Sequence, residues 1–243
     1  GAEGATVLAG VLPGSGVTTL DLGYNQIGDE GAIELAAALP DSGITELNLC
    51  LNQIRFAGAS ALSGALPPGL TTLGLGGNKI GDAGAIELAG GLRGSKITSL
   101  HLGGNDIGVE GARALAGVLS GSQITKLDLR DNQIGDEGAS ALAGGLRGSE
   151  LTELGLWLNY IGDQGASALA GGLRGSGLTE LVLGRNQIGA EGARALAGAL
   201  PRGLTKLDLK YNQIGAEGAI ALAGALRGSR ITVLNLYWNK IGA

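Results

Sequence analysis

The stretch Leu20-Asp21-Leu22-Gly23-Tyr24-Asn25-Gln26-Ile27-Gly28 recurs, with substitutions at some positions, along the whole chain. Its asparagine marks the recurrence, because equivalent asparagines follow one another at intervals of 26 or 27 residues. They are Asn25, Asn52, Asn78, Asn105, Asn132, Asn159, Asn186, Asn212 and Asn239. A fixed period over all 243 residues predicts one stacked array of repeats rather than separate domains.

We divide the chain into nine units that form one continuous domain, residues 1–243. The units are 1–27, 28–54, 55–80, 81–107, 108–134, 135–161, 162–188, 189–214 and 215–241. The two units of 26 residues each lack one residue in a loop, where a deletion is tolerated. No methionine opens the chain, so we expect this domain to be excised from a longer protein.

Each unit has two halves in which the apolar residues are spaced differently. The stretch Ile44-Thr45-Glu46-Leu47-Asn48-Leu49 alternates with a period of two, which predicts a short strand with inward leucines. In the other half the apolar residues recur at the spacing of one helical face. They are Ala32, Leu35, Ala36 and Leu39. The pattern predicts an α/β solenoid, curved as a horseshoe, with a parallel sheet on the concave face and helices on the convex face, because helices need more room than paired strands.

Charged residues and glycines recur at the predicted helix ends. We expect an aspartate at the helix start to cap the helix of its own unit, as at Asp29, Asp82, Asp136 and Asp163. An arginine followed by glycine suits the helix end, as at Arg93, Arg147, Arg174 and Arg227. The glycine that opens most units predicts a positive φ or a close approach of chains. Arg55-Phe56 departs from that rule, so we expect a local bulge or an exposed contact there.

The asparagine column is interpreted as structural. A side-chain amide turned inward can both donate to and accept from backbone groups of adjacent units where the strands end. The strand leucines, the helix leucines and the isoleucine after each asparagine are expected to form the core, each contributing about 1.5–3 kcal/mol through burial.

The consensus L-T-x-L-x-L-x-x-N-x-I-G-x-x-G-A-x-x-L-A-x-x-L resembles the leucine-rich repeats of the ribonuclease-inhibitor-like subfamily, and it covers the whole chain. Similar repeats form the sensor arms of NOD-like receptors and of some large multidomain GTPases, and they form activators of the small GTPase Ran. The resemblance implies a horseshoe whose concave sheet recognises proteins.

Outward positions on the predicted sheet are where a ligand would be specified. Units three and four carry mostly glycine at these positions, whereas units five to nine carry aromatic and cationic residues. Register alignment places Arg130 beside Trp157, and Tyr211 beside both Arg185 and Trp238. Because such residues dominate interface energetics, we predict a protein-binding patch. Its predicted residues are Arg130, Trp157, Leu158, Arg185, Lys210, Tyr211, Tyr237 and Trp238.

Composition argues against several other partners. The net charge of −5 and the pI near 4.9 give no reason to expect nucleic acid, and no apolar run is long enough for a membrane helix. Cys50 is the single cysteine and no N-glycosylation acceptor occurs, so we expect a reducing, cytoplasmic compartment. Terminal repeats normally need polar caps, so we expect that the exposed terminal units can associate end to end.

Catalysis and cofactors find little support in the sequence. His101, the single histidine, is expected beside Asp128 on the next strand and near Ser99, but the flanking glycines predict no pocket around them. One histidine with one aspartate is too small a set for a metal site, and no phosphate-binding loop motif occurs. We therefore expect no enzymatic activity, no metal and no cofactor.

The main hypothesis is a non-enzymatic protein-recognition domain, the ligand-sensing arm of a larger receptor or signalling scaffold. A constant framework with variable outward positions also suits a repertoire of immune or pathogen-recognition receptors. Two alternatives stay open: a GTPase activator of the Ran-activator type, and an engineered consensus scaffold. Irregular choices such as Cys50 and Tyr160 argue against the latter.

Overall fold

The computed structural model describes residues 1–242, and within them nine helices alternate with nine short strands. The helices α1 to α9 are Ala2–Ala9, Gly28–Ala38, Phe56–Ser63, Gly81–Leu92, Val109–Leu119, Gly135–Leu146, Asp163–Leu173, Ala190–Ala197 and Gly215–Leu226. The strands β1 to β9 are Thr19–Asp21, Glu46–Asn48, Thr72–Gly74, Ser99–His101, Lys126–Asp128, Glu153–Gly155, Glu180–Val182, Lys206–Asp208 and Val233–Asn235.

All the strands form one parallel sheet in the order of the sequence, so each strand pairs only with those of adjacent repeats. The register places equivalent residues side by side, since Leu20 pairs with Leu47 and Leu47 pairs with Leu73. Each helix packs against the helices of the neighbouring repeats. The predicted α/β solenoid of strand-and-helix repeats is confirmed, with the more closely spaced strands on the concave side.

The strands are shorter than the alternating sequence predicts, with three residues each instead of the six in 44–49. Hydrogen bonds between repeats nevertheless continue on both sides of the ladder. Thr45 N–H donates to Thr18 O, and Leu49 N–H donates to Gly74 O, both at 2.7 Å. The regular strand ends soon afterwards because Leu51 adopts a φ of 58°, which turns the chain toward the helix.

The core lies between the sheet and the helices and is built from the periodic aliphatic residues. Leu47 and Leu49 from the strand half, Leu35 and Leu39 from the helix, and Ile54 after the asparagine are all fully buried. The same positions are buried in the inner repeats, so the hydrophobic contribution is distributed along the whole stack.

The asparagine column joins successive repeats through both atoms of the amide. Asn132 Nδ2 donates to Leu102 O of the preceding repeat at 3.1 Å and to Leu129 O of its own repeat at 3.0 Å. Its Oδ1 accepts from the N–H groups of Asn105 and Ile107, at 3.1 and 2.9 Å. The amide therefore satisfies buried backbone groups at the strand end, in agreement with its structural interpretation.

The four aspartates at the helix starts cap the next repeat rather than their own helix, which corrects the expectation from the sequence. Asp29 Oδ1 accepts from the N–H groups of Arg55 and Gly58, at 2.7 and 2.9 Å, where α3 begins. Asp29 lies inside the first turn of α2, too late to be its cap, and its side chain reaches the neighbouring repeat. The other aspartates that act on the following helix are Asp82, Asp136 and Asp163.

The residue that opens each helix adopts one of two backbone conformations, depending on whether the preceding repeat supplies an aspartate cap. Where the preceding repeat supplies the aspartate, the opening residue has φ between −115° and −96°, as at Arg55, Gly108, Gly162 and Gly189. Where it does not, φ lies between 60° and 66° and the N–H group donates to an asparagine carbonyl of the next repeat, as at Gly28, Gly81, Gly135 and Gly215. The second group requires glycine, because other residues adopt this conformation at a cost.

Arg55 is tolerated at a glycine position because it belongs to the extended group. The strands on either side stay in register, with Glu46 opposite Thr72, so the expected bulge does not form. Phe56 is half-exposed at 49%, which fits the alternative expectation of an exposed contact.

The helix ends also interact across repeats. Arg147 follows α6, and its Nη2 donates to the carbonyl of Gly171 in α7 at 2.9 Å. The next residue, Gly148, has a φ of 74°, as the predicted helix C-terminus requires. Several repeats thus contribute polar groups that complete the helix of a neighbour.

Candidate functional site

The exposed side of the sheet, here called the sheet face, is formed by four residues of each repeat. Positions one and two flank the inward leucine of the strand, and positions three and four precede the asparagine. In the fifth repeat they are Lys126, Asp128, Arg130 and Asp131. The strand places the first two side chains outward because alternate residues point to opposite sides of a sheet.

Position four holds the backbone in a left-handed conformation in repeats one to nine, with φ between 53° and 68°. Units three and four have glycine here, which adopts this conformation without strain. The other units carry a residue with a side chain at this position, and these residues include Leu158, Arg185, Tyr211 and Trp238. A non-glycine residue at such φ values costs about 1 kcal/mol or more, so these side chains are kept against a local conformational penalty.

Four aromatic rings and one ammonium group meet at the C-terminal end of the sheet face and are here called the aromatic cluster: Trp157, Lys210, Tyr211, Tyr237 and Trp238. The ring centres of Trp157 and Tyr211 lie 5.9 Å apart at a nearly perpendicular angle, and those of Tyr211 and Tyr237 lie 5.3 Å apart in the same arrangement. Trp238 lies 6.1 Å from both tyrosines. Lys210 Nζ sits 4.7 Å from the centre of the Trp157 ring, within the range of a cation–π contact.

The cluster is exposed rather than part of the core. Trp238 retains 68% of its accessible surface, Tyr237 59% and Tyr211 41%, whereas Trp157 is half-buried. Trp157 and Tyr237 each make an edge contact with Tyr211, and Trp238 lies tilted against both tyrosines, so the rings contact one another without a bound partner.

Gly184 allows Trp157 to reach the rest of the cluster. The two residues occupy position three of adjacent repeats, and a Cβ atom at Gly184 would lie 2.3 Å from two carbons of the indole. The ring therefore lies across the bare backbone of Gly184, two residues after β7, toward Lys210. Gly184 is not among the residues predicted from the sequence, although the sequence does place a glycine between a tryptophan and a lysine at this position of successive repeats.

The three remaining predicted residues lie outside the aromatic cluster. Arg130 does not stack on Trp157, because its Nε and Nη2 donate to Asp128 at 2.9 and 2.6 Å. Leu158 is half-buried, and Arg185 is exposed with no ion pair among residues 1–242. Register alignment gives neighbouring backbone positions, but it does not fix the direction of a long side chain.

Asp128 forms a second, polar group of side chains near the middle of the sheet face. Burial opposes its ionisation, but its interactions with His101 and Arg130 outweigh that effect and hold the pKa of the Asp128 carboxyl well below its ordinary value. A hollow of about 160 Å³ lies beside it, over Gly155 and next to the Lys126–Glu153 ion pair.

The sheet face also carries a spatial row of three polar side chains, Ser99, His101 and Asp128. Ser99 Oγ lies 3.1 Å from His101 Nε2, and His101 Nδ1 lies 4.0 Å from Asp128 Oδ2. The hollow beside them corrects the expectation that no pocket exists there. The neighbouring N–H groups of Leu102 and Gly104 each donate to sheet carbonyls at 2.8 Å, so neither is free to stabilise an oxyanion.

The sheet face of units three and four is mostly backbone. Its glycines are Gly74, Gly76, Gly77, Gly103 and Gly104. Cys50 packs beside two of them, and burial raises the pKa of its thiol, which makes the thiolate scarcer. Among residues 1–242, no group of three or more His, Cys, Asp or Glu side chains is placed to hold a metal ion.

Seven segments of the chain match a family model described as Leucine Rich repeat, and together they cover more than half of its length. They are residues 17–36, 69–89, 95–116, 123–143, 151–170, 178–197 and 203–223. The chain belongs to the leucine-rich repeat family. Its repeats suggest a protein-interaction domain, since this fold typically serves as a non-enzymatic scaffold for protein binding.

Solved structures similar to this leucine-rich repeat chain show its fold alone. A plant ice-binding protein is 20% identical with a TM-score of 0.53, over 86% of this chain and 60% of that one. The actin-binding site 2 of leiomodin-1 is 23% identical (TM-score 0.47; 52% of this chain and 78% of that one). The plant peptide hormone receptor RGFR1 in complex with RGF2 is 17% identical (TM-score 0.45; 77% and 27%). No curated protein matches the leucine-rich repeat chain, and none of the helices within residues 1–242 has the length and apolar character to cross a membrane.

Proposed function

We propose that this chain is a recognition module that binds a protein partner through the aromatic cluster of its sheet face. The observation that carries the proposal is a contiguous set of rings, with Tyr211, Tyr237 and Trp238 exposed, Trp157 half-buried and Lys210 beside them. Tryptophan and tyrosine supply large contact areas with few rotatable bonds, and such residues dominate binding energies at protein interfaces.

Pre-organisation supports the same role. The rings contact one another in the free chain, so a partner would not have to order each side chain separately, at about 0.5–1.5 kcal/mol apiece. Tyr211 and Trp238 also have left-handed backbone conformations. The equivalent residue in units three and four is glycine, which adopts this conformation at a lower cost. Functional surfaces are where such local strain is commonly retained.

Arg130, Leu158 and Arg185 are proposed to form the border of this surface. Arg185 is exposed and unpaired among the described residues, and Leu158 precedes Asn159 in the same repeat as Trp157. A polar and cationic border around an aromatic centre is the usual composition of a protein interface.

The finer proposal is that the domain, residues 1–243, is the ligand-sensing arm of a larger cytoplasmic receptor or signalling scaffold, in the manner of immune receptors. A constant framework combined with varied outward positions supports it. We further propose that terminal repeats can associate end to end, because Val7 and Val11 in the first repeat and Ile220 in the last are largely exposed.

Selection from a random-peptide phage library on the immobilised chain supplies probes for the recognition proposal. The test variant combines Trp157→Ala with Trp238→Ala, and the control combines Tyr24→Ala with Tyr160→Ala, which are exposed aromatics away from the cluster. Selected peptides, measured by fluorescence anisotropy, are expected to bind the test variant at least about tenfold more weakly and the control unchanged.

Circular dichroism melting distinguishes loss of the site from loss of the fold. Both variants are expected to melt within a few degrees of the parent chain, because neither removes a core residue. Equal affinity of the selected peptides for the parent and for the Trp157/Trp238 variant would show that recognition occurs elsewhere and would refute the proposal.

A further inference from the structure

A row of cations lies along the side of the sheet formed by the N-terminal ends of the strands. Because the strands are parallel and in register, every connection from a helix end to the next strand reaches this same edge. The row, here called the basic edge, consists of Arg93, Lys96, Arg147, Arg174, Arg202, Arg227 and Arg230. All seven side chains are exposed, and none forms an ion pair within residues 1–242.

The basic edge contrasts with the charge of the whole chain. It holds seven of the 17 lysines and arginines, whereas the same connections hold only Asp41 and Glu150 of the 22 acidic residues. The chain as a whole has a net charge of −5. The first turns of the helices, at the opposite edge, are instead rich in acidic residues such as Asp136 and Glu137.

Helix capping accounts for only part of this row. Arg93, Arg147, Arg174 and Arg227 directly follow helix ends, where a cation is favoured by the helix dipole. The other three lie farther from the last helical turn, and their side chains make no hydrogen bond within the described chain. They are Lys96, Arg202 and Arg230. Helix capping therefore does not explain the three cations that lie away from the helix ends.

Three cations of units seven to nine line two adjacent hollows. A hollow of about 390 Å³ lies between Arg174 and Arg202, and a second of about 350 Å³ lies between Arg202 and Arg230. The two hollows share Arg202 and Gly203.

We propose that the basic edge of units six to nine binds an acidic, extended segment of a partner protein. Guanidinium groups pair bidentately with carboxylates, and each repeat presents at least one of them. Three repeat steps span about 15–30 Å at the spacings of strands and helices, which is the length of about five to nine extended residues. A short peptide meets only this row, whereas a long nucleic acid or an anionic membrane would also meet the acidic remainder of the chain.

The proposal is independent of the aromatic cluster, which lies on the sheet face rather than along its edge. Fluorescence anisotropy with a labelled nonapeptide of glutamate residues tests it on the full chain at low and at physiological salt. Arg202→Gln combined with Arg230→Gln is the test variant. Arg55→Gln combined with Lys79→Gln is the matched control, because it removes two exposed cations at the opposite edge.

The test variant is expected to bind the peptide at least about fivefold more weakly, the control to bind as the parent does, and added salt to weaken binding by screening. Equal weakening in both variants would mean a general charge effect and would overturn the proposal. So would the absence of binding by the parent chain, or tighter binding to a 20-nucleotide single strand or to phosphatidylserine vesicles than to the peptide.

Discussion

Two regions of the sheet face share a framework and differ in the residues placed on it. Units three and four present the bare backbone of Gly76, Gly77, Gly103 and Gly104, whereas units six to nine present the aromatic cluster. Strand pairing and register are the same in both regions. The framework is satisfied internally by inward leucines and the asparagine column, so the outward residues can change without altering the fold.

The largest expected effect tests whether the framework really is shared. Asn78 in the bare region and Asn186 in the aromatic region make the same set of backbone hydrogen bonds. Asn78→Ala and Asn186→Ala should each lower the free energy of unfolding by about 3 kcal/mol, because several buried backbone groups lose their partners. Urea denaturation followed by circular dichroism measures both values.

Asn25→Ala is the control for this comparison. Asn25 is exposed and donates only to Leu22 and Gly23 of its own repeat, so a loss of less than about 1 kcal/mol is expected. Clearly different losses for Asn78→Ala and Asn186→Ala would contradict a framework that is independent of the residues on the sheet face.

The second effect concerns Asp128, which lies between the two regions. Asp128→Asn should lower the free energy of unfolding by about 1–2 kcal/mol at pH 7, since the carboxylate interacts with His101 and Arg130. The pKa of Asp128 is depressed in the folded chain, so this stabilisation is present above the ordinary aspartate pKa of about 3.9 and declines as the pH falls below it.

Urea denaturation at pH 7 and at pH 3 measures the decline. The difference between the parent and Asp128→Asn should be smaller at pH 3. Asp131→Asn, at an exposed position of the same repeat, should change little at either pH. A difference that stays constant between the two pH values would show that the charge of Asp128 contributes nothing to stability.

The smallest effect tests how the aromatic cluster is assembled. Gly184→Ala should displace the Trp157 indole and cost about 1 kcal/mol, because the new Cβ would overlap the ring. In a Trp157→Ala background the same change should cost less, since the overlapping ring is gone. A double-mutant cycle from urea denaturation measures this coupling, and additive costs would argue against the packing of Trp157 over Gly184.

Much of the fold was predictable because it depends on periodicity. The spacing of the asparagines and leucines identifies strand, helix and their order, and it places Leu47 and Ile54 in the core. Strand length was overestimated because the alternation continues beyond the regular ladder, up to the left-handed position at Leu51. Pairing between neighbours follows from the repeat itself.

The errors at Asp29 and Arg130 share one cause, which is that residue spacing does not fix side-chain direction. Asp29 lies one residue inside its helix, and its carboxylate reaches Arg55 in the next repeat. Arg130 pairs with Asp128, and the Trp157 ring packs over Gly184 instead of against Arg130. Residue spacing indicates which positions are neighbours, but the choice among neighbours depends on distances and rotamers that only coordinates supply. The residues of the proposed binding patch stay a prediction.

The aspartate caps divide the stack into mechanical blocks. They bind α2 to α3, α4 to α5, and α6 through α7 to α8, and the same bonds are missing between α1 and α2, between α3 and α4, between α5 and α6, and between α8 and α9. The uncapped joints are seams that lack this bond, although Ser63 Oγ donates to Glu87 O between α3 and α4 and Arg194 pairs with Glu217 between α8 and α9. Pulled from its ends, the molecule should open at these seams first, so that the terminal repeats detach singly and the inner repeats in blocks of two or three.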